Sequence, residues 1–181
     1  MDPNRGQRVT SWTPELRVAD PTCAHGCWWY ARILRFGKSH NGWCWYSPIA
    51  EALVAALHGA RVGIYRDGGL LTHPPAEREG YRVGIVESAW VVSGGVETVV
   101  HLAHDATVVR RALLALERAG VLPETIGLSL IAAARVVPRH VCGEPVAIVT
   151  AVDYVETVDM VSHPSAEGAL LRSLAPNTEA L

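Results

Sequence analysis

The chain has 181 residues, is 49% hydrophobic and 19% charged, and carries a formal net charge of -2 with its histidines neutral. That composition suits one compact domain with a real core, and the lack of a long basic block removes the electrostatic reason to expect nucleic acid or a membrane surface as partner. The opening residues Met1 to Arg8 lack the apolar centre of a signal peptide, and no later run is long and apolar enough to span a bilayer, so a cytoplasmic protein is expected.

Residues 1–26 read as a loosely held arm, with an edge strand possible over Val9–Leu16. The aromatic and aliphatic run Trp28–Phe36 reads as a strand, and Asn41-Gly42 is a turn signal behind it. Ser47-Pro48 then opens the helix Ile49–His58, with Ser47 as cap, Pro48 at the first helical position and Gly59 as the stop. A short strand over Arg61–Tyr65 and a turn at Arg66–Gly69 lead into Leu70-Leu71-Thr72-His73-Pro74-Pro75. Val83–Val92 and Val96–Leu102 flank Ser93-Gly94-Gly95 and predict a β-hairpin. Asp105 is expected to cap a second helix, Thr107–Ala119, ended by Gly120 and Pro123. Strands are expected at Ile126–Ala134, Val146–Val152 and Val155–Val161, then one weak helical turn at Gly168–Leu174 in a tail that becomes polar. The fold class that follows is α+β, mainly an antiparallel β-barrel or strongly bent sheet with surrounding helices.

Cys23-x3-Cys27, with His25 between them, and Cys44 invite a zinc reading, but structural zinc sites pair such a knuckle with a second one, and the remaining Cys142 stands alone. Packed free thiols are the simpler expectation. His101, His104 and Asp105 also lack a further ligand set of suitable spacing, and Asp105 is accounted for as a helix cap. The tryptophans at 28, 29, 43, 45 and 90 suit core and subunit contacts better than base stacking, because basic residues are not interleaved with them.

The chemistry concentrates in Glu124-Thr125-Ile126-Gly127-Leu128-Ser129-Leu130-Ile131-Ala132, where one hydroxyl sits in an apolar, strand-like run. Such a serine is by default a buried group bonded to nearby backbone; as a nucleophile it needs a base within hydrogen-bond reach and a third group to orient that base. His73 lies upstream, and Val158-Asp159-Met160-Val161-Ser162-His163-Pro164-Ser165 lies downstream.

In order, the Asn-Gly turn, the Ser-Pro helix, Leu-Thr-His-Pro, Val-Gly-Ile-Val, Ile-Gly-Leu-Ser-Leu and the Val-Asp-Met-Val segment resemble the prohead (capsid maturation) proteases of tailed bacteriophages, relatives of the herpesvirus assemblins. The resemblance runs from about Arg32 to Leu171, with His73 and Ser129 56 residues apart. It implies a β-barrel surrounded by helices, a protease domain over 27–164 and a C-terminal tail over 165–181. It implies a serine endopeptidase with Ser129 as nucleophile, His73 as base and Asp159 as third member. Asp153, Glu156 and His163 remain alternatives for that last role: assemblins use a second histidine, and both carboxylates lie close in sequence, Asp153 sharing the strand parity of Asp159 if the strand is unbroken and Glu156 facing the other way. The implied substrates are the scaffold protein, the major capsid protein and the chain itself, inside the immature capsid in the host cytoplasm. A homo-oligomer is implied, with no cofactor, metal, nucleic acid or membrane. The competing expectation is a catalytically idle capsid or scaffold protein of the same fold. No oxyanion donor is assigned, although Arg135 and Arg139 lie near the serine in sequence.

Overall fold

The computed structural model describes residues 26–75, 80–141 and 143–174. The possible strand at Val9–Leu16, the pair Cys23 and His25, and Cys142 lie outside the described residues. In chain order the elements are β1 (Trp28–Arg35), β2 (Gly37–Lys38), β3 (Trp43–Trp45), α1 (Ala50–Leu57), β4 (Arg61–Asp67), β5 (Leu70–Thr72), β6 (Tyr81–Val92), β7 (Gly95–Leu102), α2 (Thr107–Arg118), α3 (Leu122–Thr125), β8 (Gly127–Val141), β9 (Glu144–Val161) and β10 (Ala169–Leu174).

The result is a mixed α+β fold, mostly strands, whose sheet curls into a half-barrel. Strand order is β10-β1-β7-β6-β4-β9-β3-β2, with β5 on β4 and β8 on β9. Most neighbours are antiparallel, and the pairs β2–β3, β4–β5, β6–β7 and β8–β9 are joined by short turns that require it. The exceptions are β9 against β3 and β9 against β4, both parallel, so β9 joins two parts of the sheet that local hairpins cannot connect. The curl brings β8 back towards the opposite end of the sheet, where the Leu170 amide donates to the Ile126 carbonyl at 3.2 Å.

The core fills the concave face. Trp29, Ile33 and Leu34 on β1, Val62 on β4, Leu102 on β7, Leu128 on β8 and Met160 on β9 are almost fully buried, with Leu53 and Leu57 of α1 closing over them. Burial of side chains of this size stabilises by about 1.5–3 kcal/mol each before conformational entropy is subtracted. On β1, Tyr30 donates its hydroxyl to Glu97 of β7; burial first, and then that bond, push the phenol up to about 12.

Several local expectations change. Ser47 does not cap α1: it begins a 3-10 turn, Ser47–Ile49, which runs into the helix, so its hydroxyl is not at the position where a cap bond forms. Asp105 does not cap α2 either, because the N-terminal boundary residue is Ala106, and the Asp105 side chain falls one position too early. Gly120, at φ 73°, ends α2 as expected, and its amide donates to the Glu117 carbonyl. Pro123 then sits in the first turn of α3. The segment expected as separate strands over Val146–Val152 and Val155–Val161 is one long strand, β9, with register shifts along its pairing to β8 that absorb the irregularity. Ala169–Leu174 is strand β10 on β1, not a helical turn. Cys27 is disulfide-bonded, so the free-thiol expectation fails there, and Cys44 is a buried free thiol.

Candidate active site

Ser129 is the third residue of β8, after Gly127 and Leu128. The start of this strand is pressed against neighbouring backbone: a Cβ on Gly127 would fall 2.6 Å from the Gly168 carbonyl oxygen, so only glycine permits the approach. In the β8–β9 pairing Ser129 lies directly opposite Asp159. Residues opposite one another in an antiparallel pair project from the same face, so the hairpin itself places hydroxyl and carboxylate side by side. Both are buried, Asp159 at 1% and Ser129 at 8% relative exposure.

His73 comes from a different part of the sheet. It follows β5, a short strand paired to β4 with Tyr65 opposite Thr72. β5 is also tied to the end of β9: the Ser162 amide donates to the Leu71 carbonyl at 3.0 Å, and the Leu71 amide donates to Ser162 Oγ at 3.2 Å. This two-bond clasp sets the imidazole over the Ser129–Asp159 rung. His73 Nε2 lies 3.0 Å from Ser129 Oγ, and Nδ1 lies 2.6 Å from Asp159 Oδ2.

With the carboxylate ionised, Nδ1 must carry the hydrogen and donate it to Asp159. That leaves Nε2 as acceptor for the Ser129 hydroxyl. The second carboxylate oxygen is engaged as well: Thr157 Oγ1 lies 2.9 Å from Asp159 Oδ1 and 3.3 Å from the Arg61 carbonyl oxygen. The hydroxyl has one hydrogen, and the shorter, charge-assisted contact takes it. On the remaining side, Gly63 of β4 is opposite Asp159, and a Cβ there would stand 2.7 Å from Oδ1. Glycine at 63 makes room for a carboxylate inside the sheet, while Thr157 and His73 supply its hydrogen bonds; a buried charge without them would be costly.

The other candidate third members lie elsewhere. Asp153 is exposed on β9 and pairs with Arg135 Nε at 3.6 Å; one register shift between it and Asp159, opposite Ile131 and Ala132, and a second at Asp153 itself undo the simple parity argument. Glu156 is exposed, and so is His163, which borders the cleft beside Ser129 while the His73 Nδ1 position is taken by Asp159. Arg135 and Arg139 are exposed on the outer part of β8. The remaining candidate ligand residues have structural surroundings: His101 stacks on Trp28 with ring centroids 4.1 Å apart, and the His104 carbonyl accepts from buried Arg110. Among the described residues no group of three or more His, Cys, Asp or Glu side chains is placed to hold a metal ion.

Two clefts flank the cluster. One, of about 460 Å³, has Ser129 and His73 in its wall together with Ile33, Trp43, Trp45 and Ile131. The other, of about 480 Å³, reaches Asp159 from behind and is bordered by Arg61, Arg82 and Glu156, and neither Ser129 nor His73 lines it. Although slightly larger, the second cleft does not face the hydroxyl, so the first is where a reacting group has access to it. Thr157, Gly63 and Ser162 are site residues that sequence reasoning missed. Nothing in their local spacing marks them, because their roles depend on which strands become neighbours.

No protein-family model matches the chain, and neither the curated proteins nor the solved structures give a match. No helix among the described residues is long and apolar enough to cross a membrane.

Proposed function

We propose that the chain is a serine endopeptidase of the prohead protease type, built on an assemblin-like form of the curled sheet. The observation that carries this reading is His73 bridging Ser129 and Asp159, at 3.0 Å on Nε2 and 2.6 Å on Nδ1. A buried serine kept only for packing does not require a half-exposed imidazole between it and a buried carboxylate, whereas acyl transfer requires that chain of contacts. The sequence resemblance adds the substrate class: scaffold and major capsid protein, and the chain itself, cut within the immature capsid.

In this reading Ser129 Oγ attacks the scissile carbonyl carbon as its proton passes to His73 Nε2. Asp159 stabilises the resulting imidazolium and keeps the ring in the tautomer that can accept. As the C–N bond breaks, His73 returns the proton to the departing amine, leaving an ester on Ser129. Water then attacks the ester with His73 again as base, releasing the carboxylic acid product and restoring the hydroxyl. Thr157 and Gly63 are positioning residues, acting through the Asp159 carboxylate.

The test is co-expression of the chain with the capsid and scaffold proteins of its own source, reading intact masses for wild type, Ser129→Ala and His73→Ala. Shortened scaffold and capsid chains with the wild type alone are expected. Identical full-length masses in assembled particles from all three would sink the protease reading and leave the idle structural protein in its place.

A further inference from the structure

The cleft that holds Ser129 and His73 has a composition that bears on what the site accepts. Its volume is about 460 Å³, and among the described residues its lining has no aspartate, glutamate, lysine or arginine; the ionisable groups among them are the imidazoles of His73 and His163. The apolar wall is fixed in place. Trp43 and Trp45 are two residues apart on β3 and so face the same side of the strand, with ring centroids 6.1 Å apart. β3 is hydrogen-bonded into the sheet beside β9, with Trp43 opposite Ala147. Ile33 and Trp45 are themselves core residues, 1% and 5% exposed, so they cannot swing away to admit a charged group and its water.

We propose that this cleft receives the side chain of the residue whose carbonyl is attacked, and that it selects a large apolar one, leucine-sized or aromatic. The proposal rests on the endopeptidase reading and adds its substrate preference. A lysine side chain entering here would find no carboxylate among the described residues of the wall, and a glutamate only the two imidazoles, whereas a phenyl or isobutyl group exchanges water for the part-exposed Trp43, Leu130 and Ile131, held from behind by Trp45 and Ile33. An alanine side chain would fit but leave most of the apolar surface wet. The expected order of kcat/KM is therefore Phe and Leu above Ala, and Ala above Lys and Glu, with the first and last groups separated on the order of 10²-fold.

The experiment uses the full chain and two kinds of reagent, with adducts on Ser129 read by mass. A small fluorophosphonate without a peptide portion reports whether Ser129 is an activated nucleophile. A series of peptidyl diphenyl phosphonates, alike except for Phe, Leu, Ala, Lys or Glu at the position next to phosphorus, reports what the cleft accepts. Fluorophosphonate labelling together with fastest reaction by the Phe or Leu reagent is the expected result. Labelling with Lys, Glu or Ala fastest would overturn the preference while keeping the endopeptidase reading; no labelling by any reagent would remove that reading and this proposal with it. Trp43→Ala is expected to lower the Phe-to-Ala rate ratio by about tenfold or more. Should that variant fail to fold, Ala132→Leu narrows the same cleft from β8 and is expected to move the ratio in the same direction. A ratio that neither variant moves rules this cleft out as the selecting pocket.

Discussion

The two ends of the β8–β9 hairpin are built from the same pairing yet have opposite character. At the inner end, Gly127–Leu130 faces Val158–Val161, and those residues are buried or nearly so; at the outer end, Ala133–Val141 faces Glu144–Tyr154, much of it exposed. Each end has an aspartate near a possible partner. Asp159 lies between β8 and β4, with His73 and Thr157 on its two oxygens and Gly63 making space for it. Asp153 has Arg135 across the hairpin, with both side chains more than half exposed. Ionising a carboxylate in water accomplishes little; ionising one inside the sheet, with its bonds already aimed, is what orients and polarises an imidazole. The difference teaches that the third member follows from burial and strand neighbours, not from distance along the chain.

The strongest test of the contrast is at the inner end. Ser129→Ala is expected to remove turnover of capsid and scaffold chains by a factor of about 10⁴ or more, and Asp159→Asn by on the order of 10⁴, because the amide favours the wrong tautomer of His73 while keeping the shape. Both should retain the circular dichroism spectrum of the wild type. An Asp159→Asn variant that cleaves at the wild-type rate would mean that His73 is oriented by something other than this carboxylate.

Next in size is the space around that carboxylate. Gly63→Ala puts a methyl group 2.7 Å from Asp159 Oδ1, so the carboxylate must shift or the strands must part. A displacement on the scale of 1 Å at such a site costs roughly 10²-fold in rate. The expected signature is a fall in kcat with cooperative thermal unfolding retained; wild-type kcat would show that Oδ1 is free to move without consequence. Thr157→Val keeps the shape and removes one hydrogen bond to a charged group, worth about 1.5–3 kcal/mol, and a loss of kcat of roughly 2- to 12-fold is expected if a third to a half of that reaches the transition state. Restoring the hydroxyl with Thr157→Ser should recover part of it. Equal rates for Val and Ser would make Thr157 a packing residue only.

Ser129, His73 and Asp159 were visible in sequence as members of motifs in a fixed order, and so were the β6–β7 hairpin, its Ser93-Gly94 turn and most of the helices. What stayed hidden depends on pairing between distant strands. Gly63 reads as an ordinary strand glycine until β4 is placed parallel to β9, opposite Asp159. Ser162 reads as a turn residue until β5 arrives to exchange two bonds with it. Ala169–Leu174 has a helix-compatible composition, but β1 offers an unpaired edge along its length, and that pairing outweighs the local preference. The parity argument for Asp153 failed for a related reason: counting by twos assumes an unbroken register, and three shifts interrupt the β8–β9 pairing.

The smallest expected effect is at the outer end, where a null result carries the argument. Asp153→Asn removes an ion pair whose members have 53% and 74% of their side-chain surface exposed at a separation of 3.6 Å. Exposed pairs of this kind contribute about 0–1 kcal/mol, so its midpoint of thermal unfolding should barely move and its cleavage rate should stay within about twofold of wild type. Raising the salt concentration should shrink even that difference, since screening acts on exposed charges first. The measurement is a side-by-side comparison of Asp153→Asn and Asp159→Asn, two identical chemical changes six positions apart on one strand. If they lower turnover equally, burial between β4 and β8 is not what makes a carboxylate effective here. If only Asp159→Asn does, the catalytic distinction between the two ends of the hairpin comes from the strands that β9 borrows as neighbours.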